Sequence, residues 1–183
     1  MDTTRISKKL NEILNDQVTK EANAAQIYLS YGAWAETKGY AGTADFLFRH
    51  ADEERNHMMK VLKYILARGS KPKITALAAP PKDPNNLEEC FEKIFKHEVD
   101  NTTSIYKIAT AALEEKDYAT WNFAQWFVRE QIEEETMVMD LLDTLRIAGG
   151  INASHEALQY FDAKMGEKND EAALPREATT ENP

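Results

Sequence analysis

Apolar residues recur along this chain at alternating intervals of three and four, the spacing that gathers side chains on one face of an α-helix. Four long stretches keep it: about Thr4 to Lys38, Thr43 to Arg68, Leu87 to Glu115 and Tyr118 to Ala148. Glycine stops three of them, at Gly39, Gly69 and Gly149-Gly150, where helices commonly close on a left-handed residue. A shorter fifth stretch, about Ser154 to Met165, sets Leu158, Phe161 and Met165 on one side.

The joins between the first and second stretches and between the third and fourth are short, so each pair predicts an antiparallel hairpin. The join from Ser70 to Asn86 carries Pro72, Pro80, Pro81 and Pro84 and is not helical. Its length has a geometric use. A helix of about 28 residues is ~42 Å long at ~1.5 Å per residue. The join can span ~55 Å at ~3.3 Å per residue, enough to return to the end where the second helix began. The predicted fold is therefore all-α: a four-helix bundle with one long crossover and a short fifth C-terminal helix. Residues 1–165 are expected to form that domain, and 166–183, GEKNDEAALPREATTENP, a loose polar tail.

Read along the stripes, the apolar pattern breaks at one level. The first gives Leu10, Leu14, Gln17, Glu21, Ala24, Tyr28 and Tyr31; the second Leu47, His50, Glu54, His57, Val61 and Tyr64. The third gives Phe91, Ile94, Glu98, Ile105, Ile108 and Ala112, with Asn101 between; the fourth Phe127, Gln131, Glu134, Val138, Leu141 and Leu145. Each is apolar at its ends and carries a carboxylate near its middle. Ionised carboxylates in a bundle core cost several kcal/mol each unless partnered. No lysine or arginine occupies the middle of any stripe. A polyvalent cation is the simplest partner. Glu54 and His57 stand at i, i+3 and leave one helix face together. Carboxylate oxygens with one imidazole suit iron or manganese better than zinc.

Composition narrows the classes. The chain has 183 residues and a net charge of -9, which disfavours nucleic-acid binding and favours cations. One cysteine, Cys90, excludes an internal disulfide framework and a thiolate metal cluster, and suits a reducing cytoplasm. The opening MDTTRISKKLNEILND has no apolar signal region, and no apolar run approaches the ~20 residues of a membrane span.

The segments LNEILNDQVTKEANAAQIYLSYGAWAE, FLFRHADEERNHMMKVLKYI, IFKHEVDNT and NFAQWFVREQIEEE resemble the ferritins, specifically the haem-free bacterial type. The resemblance covers about residues 5 to 165. It implies a ferroxidase centre that oxidises Fe(II) with O2 or peroxide, and a homo-oligomeric shell of twenty-four subunits storing ferric mineral. Carried over, Glu21, Glu54 and His57 would hold a first iron. Glu54 would bridge to a second, held by Glu98 and Glu134, with Gln131 as ligand or outer partner. A third iron nearby would take Glu53, Glu130 and Glu133, sharing Glu134, and Tyr28 matches a tyrosine able to supply an electron. By spacing alone Glu53, Glu130 and Glu133 lie off the stripes and read as solvated. His50 reads as a core or supporting histidine, and the tryptophans as packing residues.

Two departures separate the chain from bacterioferritins. The fourth stretch has Gln131-Ile132-Glu133-Glu134 where they carry a second Glu-x-x-His, and Arg55-Asn56 stand between Glu54 and His57 where they place a haem-binding methionine. No haem is expected. A rubrerythrin-like di-iron oxidase that stores nothing is the alternative. It would call for that second Glu-x-x-His and often a cysteine-ligated iron domain. A passive shell with a vestigial centre is the other competitor, and the intact ligand set argues against it.

Overall fold

A computed structural model describes residues 3–167. They form five α-helices in chain order: α1 (Lys8–Thr37), α2 (Ala41–Ala67), α3 (Leu87–Glu114), α4 (Tyr118–Ile147) and α5 (His155–Glu167), with one 3-10 turn at Gly150–Asn152. No strand occurs among the described residues. The all-α bundle with a long crossover is as expected. Of the expected tail, Gly166 and Glu167 complete α5, and 168–183 lie outside the described residues.

Local chemistry sets the ends. α1 starts later than Thr4 because Ser7 caps it, accepting the Leu10 N–H at 3.1 Å. Asn86 accepts the Glu89 N–H at 2.9 Å and opens α3; Asp117 accepts the Thr120 N–H at 3.0 Å and opens α4. α2 has no cap of its own. Asp162 on α5 supplies it, accepting the Gly42 and Thr43 N–H groups at 3.1 and 2.8 Å. Gly42 makes that docking possible, since a Cβ there would overlap the Asp162 carbonyl.

The crossover is not loose. Along one edge of α1, residues four apart tie it down. Asn11 Oδ1 accepts from the Ser70 hydroxyl at 2.9 Å, and Asn15 Oδ1 from the Lys73 N–H at 2.6 Å. The Thr19 and Thr75 hydroxyls lie 3.0 Å apart, and Asn23 Oδ1 accepts the Ala78 N–H at 3.2 Å. Two of these bonds satisfy backbone N–H groups, of Lys73 and Ala78, that a proline-rich strap cannot pair with itself.

The core divides in two. One apolar cluster includes Tyr31, Leu47, Phe91, Ile94, Leu141 and Phe161. The other includes Leu10, Leu14, Val61, Ile105, Ile108 and Phe127. Between them lies a layer of buried polar side chains contributed by all four long helices.

Candidate metal centre

That layer holds Glu21 from α1, Glu54 and His57 from α2, Glu98 from α3, and Gln131 and Glu134 from α4, each at most 5% exposed. Helical spacing explains the convergence: each lies on the face its apolar neighbours bury, two turns or so from the helix middle at most. Ligand atoms of Glu21, Glu54 and His57 lie within 4.8 Å of one another. His57 Nδ1 is 3.6 Å from Glu54 Oε2.

No lysine or arginine pairs with these four carboxylates among the described residues, and Glu54 Oε2, Glu134 Oε2 and His57 Nε2 are buried without a hydrogen-bond partner. The charged forms suffer accordingly. Burial, then the charges of Glu21 and Glu98, push the Glu54 carboxyl well above its usual range. Burial and then Glu98 do the same to Glu134. Glu98 is raised by burial to about 7, although the Tyr28 hydroxyl donates to its Oε1 at 2.8 Å and opposes the shift. Burial lowers His57, which leaves a neutral imidazole with a lone pair to offer. Edge-on contacts with Trp126 and Phe127 hold the ring, at centroid distances of 5.4 and 6.0 Å.

The off-stripe residues divide. Glu53 and Glu130 are half-buried, and their oxygens lie with a His57 nitrogen inside 4.8 Å. Glu130 Oε1 stands 3.8 Å from His57 Nε2. Glu133 is exposed and joins none of the clusters found among the described residues. Tyr28 is fully buried beside Glu98. His50, read as a supporting residue, forms a further group with Glu53 and Glu134. Its Nδ1 lies 2.9 Å from the Phe46 carbonyl, its Nε2 is 3.2 Å from Met137 Sδ, and its ring stacks on Tyr28. Sequence spacing put His50 one turn before Glu54 and could not show that its nitrogen turns toward the acidic layer.

A four-helix bundle with a carboxylate from every long helix and one Glu-x-x-His pair resembles the metal-binding carboxylate bundles, which carry that pair on two helices. The comparisons sharpen this. The ferritin-like domain family matches residues 11–148. A probable bacterial non-heme ferritin-like protein of Haemophilus influenzae is 39% identical over 144 residues, 79% of this chain and 87% of that protein. A bacterial non-heme ferritin of Escherichia coli is 35% identical over 160 residues, 87% of this chain and 95% of its own. Among solved structures, the open-pore ferritin of the hyperthermophilic archaeon Archaeoglobus fulgidus superposes with a TM-score of 0.86 at 33% identity, covering 90% of this chain and 99% of its own. This chain belongs to the ferritin family. No described helix is long and apolar enough to cross a membrane.

Proposed function

We propose that this protein oxidises Fe(II) with O2 or peroxide in the buried acidic layer and stores the ferric product as an oxyhydroxide mineral inside a homo-oligomeric shell of twenty-four subunits. The observation that carries the reading is the layer itself: carboxylates from four helices and one neutral imidazole, sealed between two apolar clusters, with no cationic side chain paired to them among the described residues. Cations offset the desolvation and repulsion that raise the Glu54, Glu98 and Glu134 carboxyls. Membership of the ferritin family and the names of the non-heme relatives support iron as the cation.

On this reading iron is both substrate and cargo. Each Fe(II) gives one electron, and two electrons with two protons take O2 to hydrogen peroxide, so the layer must hold two irons close together. Glu21, Glu54 and His57 would bind the first. Glu54 would bridge to the second, which Glu98 and Glu134 complete, and these hard oxygen donors favour the ferric state. Glu53 and Glu130, beside His57, would take iron leaving the pair. Glu133, which faces solvent, could join that third position only by a change of rotamer. Tyr28, whose hydroxyl donates to Glu98, would supply an electron.

Replacing Glu54 with Ala and following aerobic Fe(II) oxidation tests the centre. Loss of the rapid phase is expected, and its survival unchanged would refute the bridging assignment. Loading several hundred Fe(II) per assembly in air tests storage. A large particle retaining soluble ferric iron is expected. A small oligomer turning iron over without retention would point to the oxidase alternative, and a large shell with only slow oxidation to a passive container.

A further inference from the structure

Between Glu21 on α1 and Glu98 on α3 runs a chain of three buried amides, Gln17, Asn101 and Gln131, none more than 4% exposed. Gln17 Nε2 donates to Glu21 Oε1 at 2.6 Å and to Asn101 Oδ1 at 2.7 Å. Asn101 Nδ2 donates to Gln131 Oε1 at 3.3 Å and approaches Glu21 Oε2 at 3.5 Å. Gln131 Nε2 faces three acceptors at 3.3 Å: the Glu98 carbonyl, Glu98 Oε2 and the Thr102 hydroxyl.

Chemistry fixes the direction of this chain. Turning the Gln131 amide over would set its carbonyl oxygen against a carbonyl and a carboxylate, and its NH2 against the NH2 of Asn101. Turning Asn101 over would set its NH2 against that of Gln17. The orientation observed pairs donors with acceptors at every step. Asn101 also interrupts the apolar stripe of α3 between Ile94 and Ile105, where an aliphatic side chain would pack without burying a polar group.

The consequence falls on Gln131. A glutamine binds a metal through its carbonyl oxygen, and here that oxygen is turned to Asn101 while the NH2, which has no lone pair to offer, faces Glu98. We propose that Asn101, braced by Gln17, is a positioning residue that withholds Gln131 from the coordination shell and makes it a hydrogen-bond donor that orients Glu98. This rests on the iron-centre reading above. The two metal positions then differ by construction. The one beside Glu21 has the His57 imidazole, and the one beside Glu98 is completed by Glu54 and Glu134.

The test uses the assembled protein stripped of metal and titrated with redox-inert Zn(II) by calorimetry. Asn101→Leu fills the space without an amide, and Asn101→Ala, which cannot clash, serves if the leucine disturbs packing. Loss of a partner behind a ligand typically costs ten- to a hundredfold in metal affinity. The second tight binding event is expected to weaken about tenfold while the first stays within about twofold. In a Gln131→Leu background the Asn101 substitution is expected to change nothing further. Equal weakening of both events, or an undiminished effect in that background, would assign Asn101 to general packing and overturn the proposal. So would a Zn(II)-loaded wild-type crystal with Gln131 Oε1 on the metal. Absence of any paired Zn(II) binding in the wild type would overturn the centre itself, a result distinguishable from the others.

Discussion

Replacing Glu98 with Gln should make the metal-free protein more stable at high pH and less stable at low pH. In the unfolded chain this carboxyl titrates near 4.5, and in the folded, metal-free protein at about 7. Below the lower value both states are protonated and the group is neutral in its effect. Between the two values the unfolded chain ionises while the folded one stays protonated, so stability falls as pH rises. Above 7 the full difference is lost, ~3 kcal/mol at ~1.4 kcal/mol per unit. Glutamine escapes this penalty because it never ionises. It keeps the acceptor for Tyr28 but sets an NH2 where Glu98 Oε2 now accepts from Gln131 at 3.3 Å, a mismatch costing ~1 kcal/mol at every pH. The net gain above pH 7 is ~2 kcal/mol, or ~4–8 °C in melting temperature for a chain of this size. Melting of chelator-treated wild type and Glu98→Gln from pH 5 to 8 should give curves that cross, with the variant ahead at pH 8. Saturating Zn(II) at pH 8 should reverse the order, since only the wild type then has the full ligand set. Melting temperatures that run parallel across this range would refute the argument that the buried carboxylate is uncompensated.

Three further outcomes follow from the scaffold. Asp162→Ala should remove the borrowed cap of α2, costing ~1 kcal/mol, seen as a lower melting temperature and faster amide exchange in α5. Asn15→Ala should release the crossover at Lys73 and cost ~1 kcal/mol, with protease cleavage of residues 70–84 accelerating while the helices stay protected. Lys116 holds φ at 59° in the α3–α4 turn, where a side chain is strained, so Lys116→Gly should raise stability by ~1 kcal/mol in the same melting assay.

The four helices and the crossover were legible because helical periodicity and proline spacing are local signals. The acidic layer was legible for the same reason: Glu21, Glu54, Glu98 and Glu134 interrupt regular stripes, and the bundle's geometry brings interruptions at one level together. Residues off the stripes were harder to place. Glu53 and Glu130 look solvated by spacing, yet they are half-buried against His57 because neighbouring helices widen the covered face. Glu133, three residues after Glu130 on α4, stays in solvent. The ladder of Asn11, Asn15, Thr19 and Asn23 has visible i, i+4 spacing, but polar residues on an ordinary wet face show the same spacing. Nothing local distinguishes a strap from water. The docking of α5 through Asp162 and Gly42 joins residues about 120 positions apart and leaves no periodic trace.

The hydrogen bonds within the layer divide its carboxylates into two kinds, and the division bears on how a cargo metal leaves. Glu21 is held by Gln17, and Glu98 by Tyr28 and Gln131. Both stand on the α1–α3 side. Glu54 and Glu134, on α2 and α4, each keep a buried oxygen with no hydrogen bond. A held carboxylate offers fixed geometry at little reorganisation cost, whereas Glu134 is freer to change rotamer and Glu54 gives up only its side-chain hydrogen bond with Glu21. Glu134 also reaches the group formed with His50 and Glu53, while His57 reaches Glu130. On the proposed reading, the α1–α3 side sets where the irons sit, and the α2–α4 side passes them on. A structural cage would hold all four alike, because rotation of any ligand would release its metal.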